Sequence, residues 1–396
     1  MCQLQCGNAR PVVAGYQMAA AMPNPLEPIR VVFDTLGSSI KVLPAIGGVA
    51  EDLVRPEQEE TDDALIHRQI NKVTEFAETP EPDLQHIYRP TPPLFRPENH
   101  YFRYFIDGSF RTYFLGTGVE TGRSFPIMLA QIGAAVIRRE DDGRLHVLAH
   151  ENRLLLLVPA KGEGLSDTVW QRLRDINLPS NFRLVDYLQP DPLTEGHKDS
   201  RDKANGKVRA ETHQLEVDLI ATTDGHRNNS KWLILDGATK ISEFIQAPYL
   251  IGVAKAFSKQ PEFQFGGQKR KQDISMLLAG LPHCCRTVAF KAYDGQVAFW
   301  YVRMREQNQV GYPLMGVVKV ELPCPDKKPV SSELADLISL ALVAERSVCP
   351  YGVDKRWHCC IYPIYMAEQV IKTGFYSKEV LLGAVKWPTT QGGFRA

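Results

Sequence analysis

Two Asp-Gly steps each close a strongly apolar run, Tyr104-Phe105-Ile106-Asp107-Gly108-Ser109 and Leu233-Ile234-Leu235-Asp236-Gly237-Ala238. A buried strand that delivers a carboxylate at its carboxyl end fixes a hard oxygen ligand, which is what Mg²⁺ and Mn²⁺ require. A glycine after the aspartate leaves room for a phosphate or a metal-bound water to approach the backbone. Asp-Gly is also a common hairpin turn signal, and the chain supplies its own controls. Asp142-Gly143, Asp224-Gly225 and Asp294-Gly295 sit among polar neighbours and read as plain turns. Asp107 and Asp236 instead follow at least two consecutive apolar residues, so they read as a metal pair. A phosphodiester-cleaving site with two cations about 3.5–4 Å apart needs further carboxylates. Glu211 and Glu216 flank the apolar face of a helical stretch over 203–221, and Glu368 has Ala367 and Val370 beside it on a later helix. A carboxylate half-facing a core needs a partner, because an unpaired buried charge is costly.

The elements that must hold these residues are legible from texture. YFRYFIDGSFRTYFLG and SFPIMLAQIGAAVIRRE are rich in aromatic and β-branched residues, as strands are. Asp142-Gly143 turns the chain into LHVLAHENRLLLLVPA, which predicts three consecutive antiparallel strands. Helical patterns follow over 164–176 and 203–221, the second with Val208, Thr212, Leu215 and Leu219 on one face. Then come strands in KWLILDGATK and PYLIGVAKAFS, a hairpin turning at Asp294-Gly295, and a strand in LMGVVKVEL. A helix in SSELADLISLALVAE and a helix-loop-helix over the last segment complete the order. This is a mixed α/β sheet, not a pure parallel array. Residues 1–100 read as an N-terminal extension. Its Pro80, Pro82, Pro90, Pro92, Pro93 and Pro97 deny that run both helix and central strand, leaving a stiff connector or surface strap.

The 396 residues carry 46 Lys and Arg against 46 Asp and Glu, so a polybasic protein is excluded and any nucleic-acid surface must be a local patch. No apolar stretch approaches the ~18–20 residues of a membrane helix. The N-terminus lacks a charged start followed by an apolar block, so no secretory signal is expected. Eight cysteines without a disulfide framework point to reduced thiols in a cytoplasm. The matched pair His283-Cys284-Cys285 and His358-Cys359-Cys360 lacks the spacing of a zinc site. No phosphate-binding loop, dinucleotide fingerprint or nucleophile elbow is present, so ATP hydrolysis by this chain is not expected. Gly266-Gly267 followed by Lys269, Arg270 and Lys271 suits a phosphate backbone, and Arg111 lies on the first aspartate strand. The aromatic run Tyr101, Phe102, Tyr104, Phe105, Phe110, Tyr113 and Phe114 offers stacking platforms or, by strand alternation, core.

Taken in order, five stretches resemble the NurA family of prokaryotic DNA-end-processing nucleases. They are Asp107-Gly108-Ser109, the Glu-bearing helix, the Leu235-Asp236-Gly237 that it runs into, Ile251-Gly252-Val253-Ala254-Lys255, and Tyr362-Pro363 opening a helix with Ala367-Glu368. The resemblance spans residues 101–372 and implies an RNase H-like fold: an antiparallel three-strand meander plus parallel strands, flanked by helices, over residues 101–396. It also implies Mn²⁺-dependent (or Mg²⁺-dependent) exo- and endonuclease activity on DNA, a homodimer, and partnership with the hexameric translocase HerA in repair or defence. On that pattern Asp107 and Asp236 hold the cations, Glu216 or Glu211 bridges them, and Lys255 neutralises charge developing on the phosphate. The family's last helix usually carries Ala-His where this chain has Ala367-Glu368, which puts the fourth ligand in question. The long interval from Asp107 to Asp236 implies inserted loops around 160–205 and 222–231. Two other readings stay open: a catalytically weakened DNA-binding or assembly subunit, and another RNase H-like nuclease such as a transposase, resolvase or Argonaute relative.

Overall fold

The computed structural model describes residues 26–45, 50–52, 72–82, 86–92, 100–160, 164–189, 199–239, 242–255, 257, 262–264, 272–310, 314–346, 359–385 and 387. Among these residues a thirteen-stranded mixed sheet carries the fold. Ten of its strands form one path: β1 (Tyr88–Pro90), β2 (Phe102–Glu120), β3 (Arg123–Arg139), β4 (Leu145–Val158), β5 (Phe182–Asp186), β6 (Trp232–Asp236), β7 (Leu250–Ala254), β8 (Cys285–Thr287), β9 (Val297–Arg303) and β10 (Val317–Pro323). Their order across the sheet is β1-β8-β9-β10-β7-β6-β2-β3-β4-β5. The helices are α1 (Glu27–Ser39), α2 (Asp167–Arg174), α3 (Ser200–Ile220), α4 (Ser242–Gln246), α5 (Ile274–Ala279), α6 (Ser332–Glu345), α7 (Tyr362–Thr373) and α8 (Lys378–Ala384). No helix among the described residues is long and apolar enough to cross a membrane.

The meander expected over 101–158 is present as β2, β3 and β4, antiparallel throughout. The strands β6 and β7 then run parallel to β2, and β10 closes on β7 in the antiparallel sense. Near-continuous apolar sequences make these central strands, because helices cover both of their faces. On one face Phe105, Ile137, Ile234, Ile251 and Val320 pack with Ile338 of α6 and Ile364, Ala367 and Ile371 of α7. On the other, Ile106, Val136, Leu233 and Leu235 pack with Val208, Leu215 and Leu219 of α3. The apolar stripe of α3 recurs at helical spacing, and the Asp199 side chain caps it by accepting the Arg201 N–H.

The extra length between the two aspartates includes more than loop. It contains α2 and β5, and β5 pairs in parallel with β4 to extend the sheet. Three of the described strands in the first hundred residues are woven into the same sheet. Lys41–Pro44 and Ala50–Asp52 pair with the far half of β2, and Tyr88–Pro90 forms the opposite edge, where proline is tolerated.

One feature of β2 sets up the site. Its register with β6 ends at Leu235 opposite Ile106, while Lys41–Pro44 and Ala50–Asp52 pair only with residues 112–119. Asp107 therefore lies where the strand changes partners.

Candidate metal centre

Strand register brings the two sequence-distant aspartates side by side. Leu235 pairs with Ile106 and Asp236 with Val253, so Asp107 and Asp236 follow on adjacent parallel strands at the same level. Side chains alternate across a strand, and Phe105, Ile234, Ile251 and Val253 all face α7. Asp107, Asp236 and Lys255 share that alternation and project on the same face. Lys255 Nζ donates to Asp236 Oδ2 at 2.7 Å.

The electrostatics record how closely the group is assembled. Asp107 is only 8% exposed. Burial pushes its carboxyl well above the ordinary carboxylate range; the Asp236 charge adds to that push, Lys255 opposes it, and Glu216 and Glu368 push upward again. For Lys255, burial alone works against the charged form. The carboxylates of Asp236 and Asp107, with the hydrogen bond to Asp236, nevertheless carry its pKa above the ordinary lysine value. It is a permanent cation at physiological pH.

Glu216 approaches from the opposite face of the sheet, on α3, through the space that Gly108 leaves. A Cβ built on Gly108 would stand 2.6 Å from Glu216 Oε1 and 2.8 Å from Thr212 Cγ2. The glycine of the first Asp-Gly step is thus required by packing against the Glu-bearing helix. Gly108→Ala is expected to displace Glu216 and to cost about 1–3 kcal/mol by overpacking, read as a lower denaturation midpoint with unchanged slope. Glu216 is almost fully buried and takes its partner from the same helix, His213 Nδ1 lying 2.7 Å from Glu216 Oε2.

Glu368 reaches the group from α7, and its Oε1 accepts from Lys372 Nζ at 2.6 Å. The alternative bridging residue, Glu211, is not brought in. It sits five residues before Glu216, about 140° round the helix, and faces Arg183 at 3.7 Å and Lys207 at 3.9 Å. Glu211 therefore lies on a different side of α3 from Glu216. Arg111 is exposed on β2 with its guanidinium 6.0 Å from the Phe375 ring centroid. Lys269, Arg270 and Lys271 lie outside the described residues. Tyr104, Phe105 and Tyr113 of the aromatic run are core, whereas Phe110 and Phe114 are half-buried and carry Arg209 and Arg201 over their rings. In the matched His-Cys-Cys pair, Cys284 Sγ is 3.3 Å from His283 Nε2, and burial pushes the Cys359 thiol up to about 12, so it stays protonated.

Two functional partners escaped the sequence reading. His213 and Lys372 stand three residues before Glu216 and four after Glu368, spacings that place side chains together on a helix. Each of three carboxylates thus has a nitrogen partner: Asp236 with the Lys255 ammonium, Glu216 with the His213 ring, Glu368 with the Lys372 ammonium. The donor set around Asp107 is all oxygen, the chemistry that suits Mg²⁺ or Mn²⁺. Among the described residues no three Asp, Glu, His or Cys side chains are gathered tightly enough, as they stand, to hold a metal ion. No protein-family model matches the chain, and no curated protein matches it in sequence.

Proposed function

We propose that this protein is a divalent-cation-dependent nuclease with an RNase H-like core that hydrolyses DNA phosphodiesters. The observation that carries the reading is the meeting of Asp107 and Asp236 on adjacent parallel strands, with Glu216 and Glu368 near enough to shift the Asp107 pKa. The strand path β4-β3-β2-β6-β7, a meander continued by two strands parallel to its first, supports the RNase H-like assignment. Asp107, Asp236, Glu216 and Glu368 are the residues that would hold Mn²⁺ or Mg²⁺. Such ions supply Lewis-acid polarisation of the phosphate and a water of lowered pKa. The chain's own part is to hold these carboxylates on strands and helices that cannot drift. Lys255 keeps a permanent positive charge beside them, suited to charge developing on phosphate oxygens. DNA ends as substrate, a homodimer, a HerA-type hexameric translocase as partner and a cytoplasmic setting belong to the same proposal.

The test is cleavage of linear single- and double-stranded DNA by the purified full-length chain with Mn²⁺, alone and with a cognate translocase. Wild type is expected to cut in at least one setting. Equal inertness of wild type and Asp107→Ala in both would end the proposal.

The Lys255–Asp236 and Lys372–Glu368 ion pairs favour one second reading, a catalytically weakened DNA-binding or assembly subunit, since a metal must compete with those cations. Titration with Mn²⁺ separates the two: DNA binding without Mn²⁺ binding supports the second.

A further inference from the structure

The strand β10 buries two charges that the proposed chemistry does not use, Lys319 at 3% exposure and Glu321 at 1%. Lys319 Nζ donates to Glu321 Oε1 at 2.6 Å and lies 5.0 Å from the Phe299 ring centroid. The other oxygen, Glu321 Oε2, accepts the Thr239 N–H at 2.8 Å and the Thr239 hydroxyl at 3.2 Å. Thr239 is itself fully buried and stands three residues beyond Asp236.

The path between them runs over a missing side chain. Glu321 pairs with Gly252 across the β7–β10 ladder. A Cβ on Gly252 would stand 2.5 Å from the Gly237 carbonyl oxygen and 2.8 Å from Thr239 Cγ2. Gly237, at φ +131°, is in a conformation that side chains rarely adopt, and its N–H is held by the Val253 carbonyl at 3.0 Å. The chain leaving Asp236 is therefore pressed onto β7 and fastened to β10 by the Glu321 carboxylate. Burying such a pair is costly unless geometry and hydrogen bonds offset the lost hydration.

We infer that Glu321, oriented by Lys319, is a positioning residue for Asp236: it fixes the Gly237–Thr239 segment and so fixes where the Asp236 carboxylate presents itself to a cation. The inference rests on the metal-site reading above. It also gives the glycine of Ile251-Gly252-Val253-Ala254-Lys255 a physical role, as the slot through which Thr239 and Glu321 meet. Glu321 itself stays behind the strand and contacts no substrate.

Removing one charge alone would strand the other, so the test uses double variants of the full-length chain. Lys319→Met/Glu321→Gln removes the ion pair and keeps an acceptor for Thr239. Lys319→Met/Glu321→Leu removes both. Calorimetric titration with Mn²⁺ alone is expected to give the first variant an affinity within about threefold of wild type. The second should bind about tenfold or more weakly, the size of loss typical when a partner behind a metal ligand is deleted. Amide exchange at Thr239 should quicken only in the second. Thr239→Val, a milder change that leaves Glu321 and Lys319 paired, should weaken Mn²⁺ binding by a few-fold, and this arm stands if the Leu variant does not fold. Equal Mn²⁺ affinity in wild type, both double variants and Thr239→Val would overturn the positioning role while leaving the metal site intact. Absence of Mn²⁺ binding in wild type would overturn the metal site and the positioning role together.

Discussion

Asp107→Asn is expected to abolish Mn²⁺-dependent DNA cleavage, by about 10³-fold or more, while raising the melting temperature of the metal-free protein. The first effect follows, on the proposed function, from removing the carboxylate that would hold the cation together with Asp236. The second follows from linkage. Burial and the neighbouring carboxylates raise the Asp107 pKa in the folded protein. An acid raised in this way favours folding only while protonated, so its contribution is present in acid and lost as pH climbs from the ordinary carboxylate range through the raised value. Asparagine has no charge to lose. The variant should therefore melt about 2 °C or more above wild type near pH 8 in chelator, with the gap closing as the pH is lowered. Added Mn²⁺ should reverse the order, since a ligand at a hundred times its dissociation constant stabilises wild type by about 2.7 kcal/mol. Melting curves at two pH values, with and without Mn²⁺, check this. A variant that melts lower than wild type in chelator at pH 8 would contradict the repulsion argument.

Glu78→Ala is expected to be the most damaging single change for folding, at about 3–5 kcal/mol, because it strands a buried guanidinium. Arg286 is fully enclosed and donates to both Glu78 oxygens, at 3.0 and 2.9 Å, and to Asp336 Oδ1 at 2.6 Å. Glu78 in turn accepts from the Ala289 N–H and the Ser332 hydroxyl. This knot joins an N-terminal segment to β8 and to α6. Burial alone would raise the Glu78 pKa, but the Arg286 hydrogen bonds and charge, with Ser332 and Ala289, hold it below the ordinary value. A lowered acid contributes stability above its unfolded pKa and loses it as pH falls through the folded value, opposite in sign to Asp107. Chemical denaturation at neutral pH should show the loss. The double variant Glu78→Leu/Arg286→Met should recover much of it, since the two fully enclosed charges are then both gone and the partners they leave, Asp336 and Arg89, are partly exposed to water.

Local patterns carried much of this fold into view. The meander, the Glu-bearing helix and the parallel strands around Asp236 follow from period-2 and period-3.6 apolar spacing. Apolar residues before Asp107 and Asp236 separated them from the turn-forming Asp142, Asp224 and Asp294, and Gly143, Gly225 and Gly295 do adopt positive φ in their turns. What spacing alone left open was the choice between Glu211 and Glu216. Glu211 and Glu216 flank the stripe of Val208, Thr212, Leu215 and Leu219 about equally, roughly 70° to either side of its centre, so helical projection does not separate them. What separates them is the space that Gly108, on a strand far away in sequence, leaves for Glu216. Glu321 was beyond reach, because its meaning depends on strand neighbours far apart in sequence and on a glycine that reads locally as unremarked flexibility. The weaving of Lys41–Pro44 and Ala50–Asp52 into β2 was hidden for the same reason: short strands take their identity from the partner.

The lysines that accompany Asp236 and Glu368 make that part of the cluster a self-compensated electrolyte. Folding need not wait for an external ion to supply a counter-charge to Asp236 and Glu368, unlike small domains that collapse only around their metal, and Asp107 keeps the uncompensated burden. On the proposed function a divalent ion would enter by exchange with the Lys255 and Lys372 ammonium groups. Its occupancy would then answer to the strength of those ion pairs as well as to the metal concentration, and a chelated preparation should still unfold as a cooperative, well-packed protein.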